Sequence, residues 1–271
     1  MLATIVICTF FTSLISGVFS MAGGVILMGI YSMLLPVALA MVLHGIAQAF
    51  SNGFRTWFFR DDIYWPVLPL YIAGAAVAFG ICWWLAYVPE KSTVFLMLGL
   101  IATASVVLPK TKLLDITTTK AGVACGFVVT MTQILSGVSG PMLDIFYLKT
   151  KLNRYQIMAT KSMTQTLGHL IKLVYYGQIL LLSAQEQTTL SLWVLPLIVI
   201  ATFSGARLGR YLLQYVSDLQ FMQVTRGLIF VIGLVYLYKG VDELHLIDKA
   251  VAMLNPNTTE VKLASGLQES H

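Results

Sequence analysis

Lys161, Gln165, His169 and Lys172 are spaced four, four and three residues apart, and at roughly 100° per residue such positions share one narrow face of a helix. An ammonium, an amide and an imidazole aligned in this way can hold an anion or relay a proton. Ionisable groups inside an apolar segment are costly and usually face a bundle interior or a pathway. The same spacing occurs 117 residues earlier, at His44, Gln48, Asn52 and Arg55. Gln48 and Gln165 can each donate and accept, which suits an anion and equally suits a helix–helix hydrogen bond. Lys172 and Arg55 lie nearer the segment ends, where the expected role is to snorkel to the interface.

Each stripe follows a break in an apolar run. Ser136-Gly137-Val138-Ser139-Gly140-Pro141 interrupts the second half, because glycine loosens a helix and Pro141 has no backbone donor. Pro141 suits the first position of a new half-helix, whose opening amides attract anions. Ser136, Ser139 and Gly140 can add hydroxyls and close backbone approach, and Ser20, Gly23 and Gly24 form a similar set in the first half. The alternative is that these small residues only let helices pack closely. Asp144, three residues after Pro141, reads either as a favourable charge near a helix start or as a proton or cation coupling group. His44 and His169 have no carboxylate or cysteine beside them in sequence, so neither a metal site nor a cofactor is expected.

The elements that must position these residues are apolar and long. Hydrophobic residues make up 58% of the 271 and charged residues 11%, against roughly 25% charged in soluble domains. Segments at about 3–19, 22–35, 38–60, 64–88, 93–109, 121–136, 141–149, 154–177, 188–213 and 220–239 are expected to be helical, and many could cross roughly 30 Å of hydrocarbon. The chain divides into a first membrane repeat (1–109), a polar connector (110–120), a second repeat (121–240) and a solvated tail (241–271). ISGV at 15–18 returns as LSGV at 135–138, and Gly99-Leu100-Ile101 returns as Gly227-Leu228-Ile229, so the halves are duplicates.

Charge gives the expected topology. If each broken segment crosses once, each half has four crossings, the halves lie parallel and the basic residues show no clear bias; if it dips in and returns, Arg60, Lys110, Lys112, Lys120, Lys149, Lys151 and Arg154 share one face, which the positive-inside rule puts in the cytoplasm. The halves are then inverted and both termini external. Inverted repeats with broken helices are a recurring transporter design, with substrate near the midplane.

Other classes find little support. The formal net charge of +5 is scattered and forms no nucleic-acid patch. The N-terminal run lacks a basic leader, so it reads as retained structure. No hydrolase, zinc-protease, phosphate-loop or dinucleotide fingerprint occurs in a fitting context, so no enzyme is expected. Cys8, Cys82 and Cys125 are isolated and read as ordinary buried residues.

The duplicated breaks SGVFSMAGG and SGVSGP, the helix openings AMVLHG (Ala40–Gly45) and MATKSMTQ (Met158–Gln165), and the paired organisation of the halves resemble the sulfite exporter TauE/SafE family of membrane permeases. The resemblance spans roughly residues 3 to 240. It implies transport of a small sulfur-containing anion (sulfite, thiosulfate or a sulfonate) through a broken-helix core. It also implies that Ser20, Gly23, Gly24, Ser136, Gly137, Ser139 and Gly140, with the helix openings at His44 and Lys161, form the binding elements. This chain departs from the family pattern: its glycine clusters are Gly23-Gly24 and Gly140-Pro141, and His44 and Lys161 replace the usual serine.

The expected protein is an all-α polytopic membrane protein of the bacterial inner membrane. Two inverted repeats, each a glycine-broken re-entrant hairpin plus about three transmembrane helices, move a small anion by alternating access. In this reading Lys161 and the half-helix ends hold the anion, while His44, Gln48, Asn52, Gln165 and His169 orient it or relay a proton. The expected partners are the anion, the lipid bilayer and a second copy in a homodimer. The alternatives are a non-transporting membrane subunit that docks a partner protein, and a membrane enzyme using His44 and His169.

Overall fold

The computed structural model describes residues 1–19, 22–107, 114–147, 149–182, 193–215 and 218–244. These form ten α-helices with no strand among them: α1 Leu2–Phe19, α2 Ala22–Leu34, α3 Val37–Phe58, α4 Val67–Leu85, α5 Lys91–Val107, α6 Thr119–Ser136, α7 Gly140–Ile145, α8 Arg154–Leu182, α9 Val194–Leu213 and α10 Asp218–Glu243. Most expected segments recur within a few residues. α8 runs to Leu182 where 177 was expected, and α9 begins at Val194 within the expected 188–213. The tail beyond residue 244 and positions 110–113 of the connector lie outside the described residues.

Local chemistry sets the helix ends. Pro36 and Pro66 precede α3 and α4, where a missing amide costs nothing. Asn153 opens α8 by accepting from the amides of Tyr155 and Gln156 at 2.9 and 3.0 Å, while Gln156 Oε1 accepts from the Asn153 amide at 3.1 Å. This reciprocal box satisfies donors that the first turn leaves free. α6 ends on Gly137, whose φ of 78° is left-handed and whose amide donates to the Gln133 carbonyl. A Cβ there would also strike Met28 Sδ at 2.5 Å, so this end of α6 requires glycine.

The most extensive helix pairs are α1 with α9, α4 with α6, α5 with α10 and α3 with α8. Each joins one half of the chain to the other. Exchanging the halves maps α1–α9 onto α6–α4 and the other two pairs onto themselves, so the packing repeats the duplication seen in sequence. The two exchange-related pairs also share a device. In both, glycines let one backbone rest on the other: a Cβ at Gly209 would sit 2.2 Å from the Leu14 carbonyl oxygen, and one at Gly126 1.9 Å from that of Tyr71.

Polarity is arranged for a bilayer. Leu181, Trp84, Trp193, Leu182 and Val107 point outward, whereas Thr9, Ser13, Thr130, Gln133, His169 and Lys172 are buried. Water would favour the reverse. Four helical stretches, α1, α3, α4 and Gln223–Glu243 of α10, are each long and apolar enough to cross a membrane. Trp57, Trp65, Trp83, Trp84 and Trp193 are all exposed, as anchors at the headgroup level would be.

Candidate functional site

α3 and α8 pack along their length and turn their polar stripes toward each other and toward the α6–α7 break. Between them lies a cavity of about 30 Å³ lined by Ser16, Gly24, His44, Gln48, Ser51, Asn52, Arg55, Val138, Ser139, Gly140, Gln165 and His169. Eight of the residues expected from sequence meet here: Gly24, His44, Gln48, Asn52, Ser139, Gly140, Gln165 and His169. The imidazoles of His44 and His169 are 5.6 Å apart between ring centres.

A continuous hydrogen-bond network fixes this wall. His44 Nε2 is 3.0 Å from the Gly24 carbonyl oxygen, which can only accept, so Nε2 carries the proton and Nδ1 is an acceptor. Lys172 Nζ donates to that Nδ1 at 2.8 Å and to the Gly137 carbonyl at 3.0 Å. Gln133 Nε2 donates to the same Gly137 carbonyl at 3.2 Å and to His169 Nδ1 at 2.7 Å, while its Oε1 accepts from the Ser139 hydroxyl at 2.5 Å. The carbonyl sets the Gln133 amide, and the amide sets the His169 tautomer, so His169 too keeps its proton on Nε2. Both rings thereby keep their proton on Nε2, and that of His44 is given to the Gly24 carbonyl.

Lys172 does not snorkel. It is fully buried at 0% exposure, because α8 continues ten residues past it and places it inside the bundle. Arg55, the other residue expected at the interface, lines the cavity and makes no ion pair among the described residues. Among the described residues no aspartate or glutamate lines the cavity.

Four of the expected residues lie elsewhere. Gly23 is a packing contact, since a Cβ there would meet the Thr12 carbonyl oxygen at 1.9 Å. Ser136 donates to the carbonyls of Thr132 and Val138, both at 2.9 Å, and so braces the break. Gly137 supplies the carbonyl that Lys172 and Gln133 share. Lys161 pairs with Asp144 across α7 and α8, outside the cavity lining. Ser20 lies outside the described residues.

Ser16, Ser51, Arg55, Gln133 and Lys172 were not assigned to the site from sequence. Ser51 had a signal, as it sits three residues after Gln48 and four before Arg55, on the same helical face. Gln133 had a fainter one, as a lone amide in the apolar run of α6.

A helical bundle with an apolar exterior, enclosing a small polar cavity at broken helices and free of acids along its lining, defines a membrane permease. The chain belongs to the sulfite exporter TauE/SafE family, whose family model matches residues 5–236. No curated protein and no solved structure matches the chain.

Proposed function

We propose that the protein transports a small sulfur-containing anion (sulfite, thiosulfate or a short sulfonate) through the cavity between α3, α8 and the two breaks. One observation carries this reading: the cavity is walled by Arg55, the His169 Nε2–H and amide and hydroxyl groups, with no carboxylate among its described lining residues. Such a wall favours negative charge over neutral or positive cargo. Lys172, one hydrogen bond behind His44, adds a further donor behind this wall and faces no acid among the described residues. The cavity is small, about 30 Å³, which favours the smaller members of the class. Ser139, Gly140 and Gly24 bring the breaks to the ion, Gln48, Asn52 and Gln165 orient it, and Lys161 acts outside the cavity lining. The test is uptake of labelled sulfite and thiosulfate into proteoliposomes: saturable uptake, inhibited by the competing anion, is expected. No movement of either ion would remove this substrate class.

We also infer that the halves are inverted and exchange access between the two sides. The exchange-symmetric helix pairing and the one-sided distribution of basic loop residues support this. In cells, a single cysteine placed at residue 2 in a cysteine-free background should react with an impermeant thiol reagent from outside, and one at Thr117 only after permeabilisation. The opposite pattern would overturn the inverted arrangement.

A further inference from the structure

Among the buried hydroxyls outside the cavity that make no hydrogen bond within the geometric limits are those of Tyr71 of α4, Thr130 of α6 and Tyr147, two residues past α7. Their exposures are 0%, 0% and 7%. They sit together. Tyr71 and Tyr147 lie in one buried cluster with Cys125 and Val129 of α6, the Tyr71 hydroxyl is near Thr130 and that of Tyr147 near Thr164 of α8, and the Tyr147 amide donates to the Asp144 carbonyl at 3.1 Å. Buried hydroxyls ordinarily find a partner in protein or ordered water, and a cluster of this kind has the several polar partners that an enclosed water requires.

The cluster has two ends. At the outer end Asp144, paired with Lys161, keeps 39% of its side chain exposed. At the inner end Gly168 separates Tyr71 from the site: a Cβ on it would lie 3.3 Å from the Tyr71 hydroxyl and 3.9 Å from Gln133 Cγ. The next residue is His169, held by Gln133.

We propose that Tyr147, Tyr71 and Thr130, with the water they hold, form a proton relay from Asp144 to the Gln133–His169 pair. This rests on the transport reading and adds the ion that drives it. The Asp144 carboxylate takes one proton from solution, and each hydroxyl or water then accepts one proton as it releases its own. One proton reaches the His169 ring, only O–H and N–H bonds are made and broken, and no charge is left on the path. In this conformation the Gln133 amide occupies His169 Nδ1, so it must turn away before the ring can accept, which makes it the gate of the relay. The ionisable groups facing the path are Lys161 at Asp144, Cys125 beside both tyrosines, and Lys172 and His44 at His169.

The test uses Tyr71→Phe/Tyr147→Phe in proteoliposomes with sulfite as the probe. The rings remain, so helix packing is kept, and monodispersity in detergent checks the fold. Sulfite accumulation driven by a pH gradient should fall about tenfold or more, while sulfite counterflow without a gradient stays within about twofold of the parent. Tyr147→Phe alone, at the outer end, should give the same split if the double variant does not fold. Gradient-driven accumulation retained in these variants overturns the relay, as does a parent protein indifferent to the gradient. A parent that shows no counterflow overturns the relay and the transport reading together.

Discussion

Replacing Lys172 by methionine is expected to lower sulfite uptake about 30-fold while leaving the protein folded and membrane-inserted. The magnitude follows from the environment, since leaving a buried hydrogen-bonding group without its partner costs about 1–3 kcal/mol and 1.4 kcal/mol is tenfold. Lys172 is fully buried and, among the described residues, donates to His44 Nδ1 and the Gly137 carbonyl. Neither partner is an acid, so the amino group is not one half of a structural ion pair. Methionine keeps the length of the side chain and its contacts with α3, and exchanging buried ionic groups for apolar ones of similar volume is often neutral or stabilising. The Gly137 carbonyl retains Gln133 as a donor, so the break keeps its brace. A structural role predicts loss of monodisperse protein with uptake per folded molecule unchanged. A role in the transport site predicts the reverse. Uptake within about threefold of the parent would sink the assignment of Lys172 to the anion site.

What the sequence could and could not disclose about this site follows from what helical periodicity measures. The spacing of His44, Gln48, Asn52 and Arg55, and of their counterparts 117 residues on, fixes which residues share a face, and those faces do meet at the cavity. Spacing says nothing of depth. With α8 ending at 177, Lys172 would stand near a terminus and snorkel; with α8 reaching Leu182 it lies inside. Lys161 lies on the same stripe, yet the turn after α7 brings Asp144 back against it, a tertiary contact that a one-dimensional pattern does not contain. Gln133 escaped for a third reason. The match of ISGV to LSGV aligns it with Ser13, so a search for repeated chemistry passes over a residue present in one half only. The start of α8 was the opposite case: Asn153 and Gln156 form a box that the sequence N-R-Y-Q spells out.

Exchanging Gly74 or Gly126 for valine should abolish folded protein, whereas Gly80→Ala should be tolerated. A Cβ on Gly74 would sit 1.9 Å from the Val123 carbonyl oxygen, and one on Gly126 1.9 Å from that of Tyr71. Real Cβ atoms do not approach oxygen so closely, and the obstacle is backbone on both sides, so no side chain can rotate away. Relief requires α4 and α6 to separate. Their contact is among the most extensive in the bundle, and apolar helices in lipid are held together mainly by close packing. Overpacking of a well-packed contact typically costs about 1–3 kcal/mol, and two interlocked backbone clashes fall at or above the upper end. Separation would also displace Tyr71 and the α6 end that carries Gln133, so any Gly126→Ala protein that survives should be impaired in uptake. Gly80 has nothing within 4 Å of its would-be Cβ, and alanine there gains up to about 1 kcal/mol in helix propensity. Thermal unfolding followed by size exclusion in detergent separates these outcomes. Equal melting temperatures for Gly80→Ala and Gly126→Val would refute the close α4–α6 packing, and with it the placement of Gln133 beside His169.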